Sequence, residues 1–192
     1  MNKRIILASG SEARKKLLDK IKLDFEIQPS DFEEIMNPDT PPEELAVELA
    51  LGKARDVAAK NKNAIIIAAD SFVILDGKYL GKPHSVGEAR AMLRQISGKK
   101  QSFVTGMAII DTDSGKTFTD FDISEIWVKE LTDEEIEDYI KTGEPFSKAG
   151  GYAIQEIGSI FIEKVQGSYT SIVGLPINKV YKILKELGVK VI

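Results

Sequence analysis

Ser9, Gly10 and Ser11 make a small polar turn directly after an apolar run, and Arg14 follows one helical turn later. Backbone N–H groups at the start of a helix point at anions, so this turn with its arginine suits a phosphate group. The same serines also serve as ordinary helix caps, with Arg14 solvated. Glu33 and Asp70 are the carboxylates best placed for a divalent metal, because magnesium takes oxygen ligands and is held by one or two carboxylates plus substrate phosphates. Such an ion also activates water for attack. Both acids read equally as turn formers. Asp70 is the stronger candidate, since it ends the apolar run Ile65 to Ala69, where buried surroundings favour proton uptake and suit it to base chemistry. Lys53 and Lys82 each follow a glycine and can place a point charge on phosphate oxygens, although most lysines are solvated surface residues.

Several chemistries are excluded. The chain lacks cysteine, which removes disulfides, thiolate nucleophiles and Cys-ligated metals. His84 is the single histidine, so a multi-histidine metal site cannot form, and it reads as a loop residue beside Pro83. No Gly-x-Ser-x-Gly elbow is present, which disfavours serine hydrolysis. The stretch from Gly77 to Pro83 fails as a P-loop: one residue is missing between its glycines, and Pro83 stands where Ser or Thr binds magnesium. A formal net charge of -4 argues against nucleic-acid binding, and any polyanionic ligand must meet cations gathered locally. The apolar stretch Ile5 to Ala8 falls far short of a signal-peptide core or membrane span, so a cytoplasmic protein without a membrane partner is expected.

The elements that must position these groups form an alternating α/β pattern. Arg4 to Ala8 reads as a buried strand. Ser9 and Glu12 have capping-box spacing for a helix carrying Leu17, Leu18 and Ile21. Phe25 to Pro29 is a short strand running into the acidic segment Asp31, Glu33, Glu34. A helix begins at Thr40 and Pro41 and ends near Lys60. Ala64 to Ala69 is a continuous apolar strand ending at Asp70, followed by a hairpin from Phe72 to Leu80 around Asp76-Gly77. Ser85 and Glu88 cap a further helix, and Gln101 to Ile110 and Thr117 to Lys129 read as two long paired strands forming a lobe of their own. Thr132 and Glu135 cap a helix ended by Gly143, Ser159 to Val165 is a strand, and a last helix covers about 178 to 187. Trp127, Phe118 and Phe121 lie in strand-like sequence and read as core. At 192 residues and 43% hydrophobic content, one domain with a real core is expected.

In their order along the chain, the blocks LASGS with Arg14, SDFEE, LGKA, AADS, DGKYLGKP, SGKKQSFVTG, KAGGYAIQ and GSYTSIVGLP resemble the Maf family of nucleotide pyrophosphatases from end to end. The resemblance implies one domain over residues 1–192, with a mixed twisted sheet in two lobes around a cleft, similar to the inosine triphosphate pyrophosphatase architecture. It implies hydrolysis between the α and β phosphates of a nucleoside triphosphate, Mg2+ or Mn2+ as cofactor, and a homodimer. By matched position, Asp70 is the proton acceptor; Glu33 and Asp70 bear on the metal; Ser9, Ser11, Arg14, Lys53 and Lys82 contact phosphates; and Lys148 and Gln155 face the nucleotide. The family usually has Ser-Pro-Arg-Arg where this chain has Ser11-Glu12-Ala13-Arg14. Ser71 stands where the branch acting on dTTP and UTP has threonine, and Ser147 where aspartate is common. Gln155 agrees with that pyrimidine branch, and an amide can both donate and accept toward a pyrimidine edge. The expected substrates are dTTP, UTP or modified pyrimidine nucleotides. The rival expectation is a non-catalytic nucleotide-binding regulator of septum formation.

Overall fold

β-branched residues at 5, 6, 65, 66 and 67 favour extended, fully buried strands, and these positions form the centre of the sheet. The computed structural model describes residues 3–37 and 39–191. In chain order the elements are β1 (Arg4–Leu7), α1 (Glu12–Lys20), β2 (Glu26–Ile27), α2 (Pro42–Ala59), β3 (Ala64–Leu75), β4 (Lys78–Leu80), α3 (Val86–Ile96), β5 (Lys100–Asp111), β6 (Thr117–Val128), α4 (Asp133–Lys141), β7 (Ile162–Gln166), α5 (Tyr169–Val173) and α6 (Ile177–Glu186). The sheet has seven strands in the order β2-β1-β3-β5-β6-β7, with β4 on β3. It is mixed: β1 is parallel to β2 and β3, whereas β4 and β7 are antiparallel to β3 and β6. The expected mixed α/β class is thus the observed one. Among the described residues no helix is long and apolar enough to cross a membrane.

The chain divides into two compact units, Met1–Ser71 with Thr105–Asp122 and Gly174–Ile192, and Phe72–Val104 with Ile123–Val173. In the first, the small face of α2, Ala50 and Ala54, packs on Ile6, Ile66, Ala68 and Ala108. Gly106 is what lets α2 come close, because a Cβ there would lie 2.2 Å from the Ala46 carbonyl carbon. In the second, Leu93 and Ile96 of α3 and Ile136 and Tyr139 of α4 pack with Val73, Phe103, Ile126 and Phe161. The Thr132–Glu135 capping box starts α4 as expected.

Four expectations are corrected. The cap of α1 is Ser11, not Ser9, because Ser9 turns its hydroxyl to the Ser11 N–H and to Arg14. Asp70 does not end a strand; β3 continues through it to Leu75, since an ion pair satisfies the carboxylate and leaves the backbone free to stay extended. The two long strands β5 and β6 are not a lobe of their own, and each contributes to both units. The last strand starts at Ile162, because Glu144 accepts the N–H groups of Ile157 and Gly158 and holds 157–161 in a 3₁₀ turn.

A polar staple closes the β5–β6 turn. Lys3 Nζ donates to both oxygens of buried Asp111, at 2.6 and 2.7 Å, and the Ser114 hydroxyl adds a third bond at 2.6 Å. Burial pushes the Asp111 carboxyl up, but the Lys3 ammonium, the Ser114 hydroxyl and the Asp113 N–H outweigh it and hold it at about 2, against an ordinary 3.8. A depressed folded-state value contributes stability that is complete above the unfolded value and lost as pH falls toward about 2. The staple is expected to contribute about 2 kcal/mol at neutral pH. Melting curves of the wild type and Asp111→Asn should therefore lie apart at pH 7 and draw together as pH falls from 3.8 through about 2; a gap independent of pH would remove the staple as the cause.

Candidate active site

The turn after β1 is built around Arg14. Ser11 caps α1 and accepts the Arg14 N–H at 3.5 Å, while the Ser9 hydroxyl accepts the Ser11 N–H at 3.2 Å. The guanidinium is then fixed from three sides. Nη1 donates to Ser9 Oγ at 3.1 Å, Nη2 to Ser71 Oγ at 3.3 Å, and Nε to the Gly174 carbonyl at 2.9 Å. Burial lowers the Arg14 pKa, and the nearby charges of Asp70 and Glu34 oppose that shift. An arginine has five N–H donors, so two remain for an anion. Ser9, Ser11, Arg14 and Ser71 are brought together as the sequence suggests.

Asp70 is buried on β3, and its Oδ1 accepts from Lys53 Nζ of α2 at 2.6 Å. Lys53 pairs also with Glu34 Oε1 at 2.7 Å. The second oxygen of Asp70 accepts nothing from the described residues. Of the two adjacent acids, Glu34 is thus the one the structure joins to the Asp70–Lys53 pair, whereas the sequence points to Glu33. Glu33 is exposed and makes no ion pair among the described residues.

The choice between the two acids is set by how their segment is tied to α2. Asp56 accepts from the Ser30 hydroxyl at 2.8 Å and the Asp31 N–H at 2.9 Å, and Lys60 pairs with both Asp31 and Asp56. The Phe32 ring then lies on Gly52, where a Cβ would come within 2.3 Å of it. The glycine of the LGKA block is thus the seat for the phenylalanine of SDFEE. Gly52→Ala should raise helix propensity by about 1 kcal/mol while displacing the Phe32 ring, two effects that offset in stability. The expected result is a melting temperature within about 3 °C of wild type and a turnover reduced about tenfold. Unchanged turnover would show that the 31–34 segment does not act on the chemistry.

The metal-binding capacity of these groups can be judged from their donors. Among the described residues no group of three or more acidic or histidine side chains could hold an ion. One free carboxylate oxygen on Asp70, with Glu34 joined to it through the shared partner Lys53 and Glu33 beside Glu34 in the chain, fits an ion that completes its shell from water and substrate phosphates, as magnesium does.

The remaining expected residues belong to the second unit. Lys82, just beyond β4, is exposed and has no ion-pair partner among the described residues. Lys148 pairs with Glu156 at 3.1 Å, next to Gly150 and Gly151, whose φ values of +75° and +76° need glycine. Gln155 is exposed, and its amide makes no hydrogen bond among the described residues. His84 is an exposed loop residue whose N–H donates to Glu88 at 2.8 Å. Trp127 is half-buried on β6 rather than core, with Lys164 Nζ 4.4 Å from its ring centre.

The mixed α/β fold has a counterpart among solved structures. The structure of a HAM1 protein from Coxiella burnetii superposes with a TM-score of 0.52 over 95% of this chain and 98% of that one, at 16% identity, which shows a shared fold. The Maf-like protein family model matches residues 4–187, and the chain belongs to the Maf family. It is 45% identical to a dTTP/UTP pyrophosphatase of Caldicellulosiruptor saccharolyticus, over 97% of this chain and 96% of that protein. Proteins of the same name from Methanosarcina mazei and Clostridium tetani are 43% and 47% identical, covering 98% and 96% of this chain and 96% and 97% of theirs.

Proposed function

We propose that this chain is a nucleoside triphosphate pyrophosphatase that acts on dTTP and UTP and returns the monophosphate and pyrophosphate. The observation that carries the reading is Asp70, buried with one oxygen on Lys53 and the other uncommitted, on a chain 41–47% identical end to end to relatives bearing that activity in their names. In the reaction a water oxygen bonds to the α-phosphorus, its proton passes to Asp70, and the bond from the α-phosphorus to the bridging oxygen breaks to release pyrophosphate. Lys53 holds Asp70 in place and, with Lys82, puts positive charge on the phosphates. Ser9, Ser11 and Arg14 bind phosphate through the turn described above, using the two spare N–H groups of Arg14. A divalent cation, Mg2+ or Mn2+, would be held by Asp70 and Glu33, Glu34 being committed to Lys53, and when bound supplies charge neutralisation and water activation. Ser71, Lys148 and Gln155 complete the nucleotide contacts, with Gln155 suited to a pyrimidine edge. A homodimer in the cytoplasm goes with this reading, and sedimentation tests the first part.

The deciding experiment is pyrophosphate release from dTTP, UTP, CTP, ATP and GTP with magnesium, manganese or chelator. Metal-dependent pyrophosphate from dTTP and UTP is expected. Release of orthophosphate and a diphosphate would overturn the reaction, and tight nucleotide binding with no turnover would favour the septum-regulator reading.

A further inference from the structure

Ser71 carries an unusual amount of hydrogen-bond information. A serine hydroxyl has one proton and two acceptor lone pairs. Arg14 Nη2 donates to this oxygen at 3.3 Å, and the Thr105 hydroxyl donates to it at 2.9 Å. Both lone pairs are therefore taken, and the proton of Ser71 donates to none of the described residues. Ser71 is only half-buried, which leaves that proton within reach of a group from outside the chain.

The two donors are themselves held from behind. Thr105 is 1% exposed on β5, and the next residue, Gly106, lies against the backbone of α2, so β5 cannot shift at this point. Arg14 is anchored through Nε to the Gly174 carbonyl. Gly174 has φ +123°, and a Cβ there would lie 3.4 Å from Arg14 Nε and 3.7 Å from Ser71 Oγ, so the GSYTSIVGLP block enters the site through its backbone. A hydroxyl held by two fixed donors cannot reverse its polarity.

We propose that Thr105 is a positioning residue that fixes Ser71 as an obligate hydrogen-bond donor, so that the substrate atom meeting Ser71 is an acceptor, either a phosphoryl oxygen or a pyrimidine carbonyl. The proposal rests on the pyrophosphatase reading for its substrate and on the geometry for its polarity. With Thr105 removed, Ser71 regains a free lone pair and can rotate to accept instead, which weakens its grip on an acceptor.

The test compares wild type, Thr105→Val, Thr105→Ser and Ser71→Ala, with UTP and CTP as substrates and inorganic tripolyphosphate as competitive inhibitor. Thr105→Val keeps shape and burial while losing the hydroxyl. It should raise KM for UTP about tenfold and change kcat less than about twofold. Thr105→Ser should restore the wild-type KM, and Thr105→Val should add nothing on the Ser71→Ala background. If the acceptor is a phosphoryl oxygen, UTP, CTP and tripolyphosphate weaken together; if it is a base carbonyl, the preference for UTP over CTP falls and tripolyphosphate is unaffected. Unchanged kinetics in Thr105→Val, no rescue by serine, or an equal loss on the Ser71→Ala background would each overturn the proposal. Absence of turnover in the wild type would instead overturn the pyrophosphatase reading, and calorimetric binding of UTP and tripolyphosphate to the same variants would still decide the role of Thr105.

Discussion

Asp70→Asn is expected to reduce pyrophosphate release by about 10³-fold while leaving nucleotide binding within a few-fold of wild type. Asparagine has the same shape and keeps an oxygen able to accept from Lys53, but it cannot take a proton from water. The backbone gives no reason for a fold defect, since the residue lies inside the uninterrupted strand β3 and its chain neighbours Ala69 and Ser71 are held by the ladder and by Arg14 and Thr105. Lys53 also keeps Glu34 as a charged partner at 2.7 Å, so its ammonium stays in place to meet phosphate. Single-turnover pyrophosphate release and calorimetric binding of UTP separate the two effects. A mutant that retained a tenth of wild-type turnover would remove Asp70 from the role of base, and one that failed to bind UTP would make its charge part of the binding site instead.

What the sequence reveals of this site depends on whether the signal is local. Ser9, Ser11 and Arg14 lie within one turn of α1, so strand, turn and helix patterns place them together, and only the choice of capping serine is missed. The apolar run before Asp70 marks a buried strand, but a strand end is the natural expectation because an unpaired carboxylate has no place inside a sheet. Its partner Lys53 comes from α2, and no periodicity links the two. That Lys53 pairs with Glu34 and not with Glu33 is still less local. It follows from Phe32 lying on Gly52 and from Asp56 holding Ser30 and Asp31, contacts that join a loop to the far face of a helix. Thr105 and Gly174 are invisible for the same reason, being respectively a buried strand hydroxyl and a backbone carbonyl from a distant block. The strand expected at Ser159 fails through Glu144, whose carboxylate collects the Tyr139 hydroxyl and two backbone N–H groups and bends an otherwise strand-like sequence.

Removing Lys53 tests the electrostatics of the site from the other side, because stability and activity should then part company. The Lys53 side chain is 12% exposed and lies between Asp70, 10% exposed, and Glu34, 49% exposed. Lys53→Met leaves Asp70 as a buried carboxylate without its counter-charge and close to a second acid. Breaking a buried pair costs about 3–5 kcal/mol, but Glu34 can turn to solvent and Asp70 keeps the guanidinium of Arg14 in its neighbourhood, so a loss of about 1–2 kcal/mol is expected. Turnover should fall about 10²–10³-fold, since the phosphates lose a fixed cation and Asp70 loses the group that aims it. Lys53→Arg should not restore it, because a planar fork replaces a single point donor between two carboxylates. The decisive variant is Lys53→Met with Asp70→Asn. Neutralising the orphaned carboxylate should return most of the lost melting temperature while activity stays at the floor, since the base is now gone as well. A double variant no more stable than Lys53→Met alone would mean that Lys53 stabilises the fold through its packing on α2 rather than through its charge.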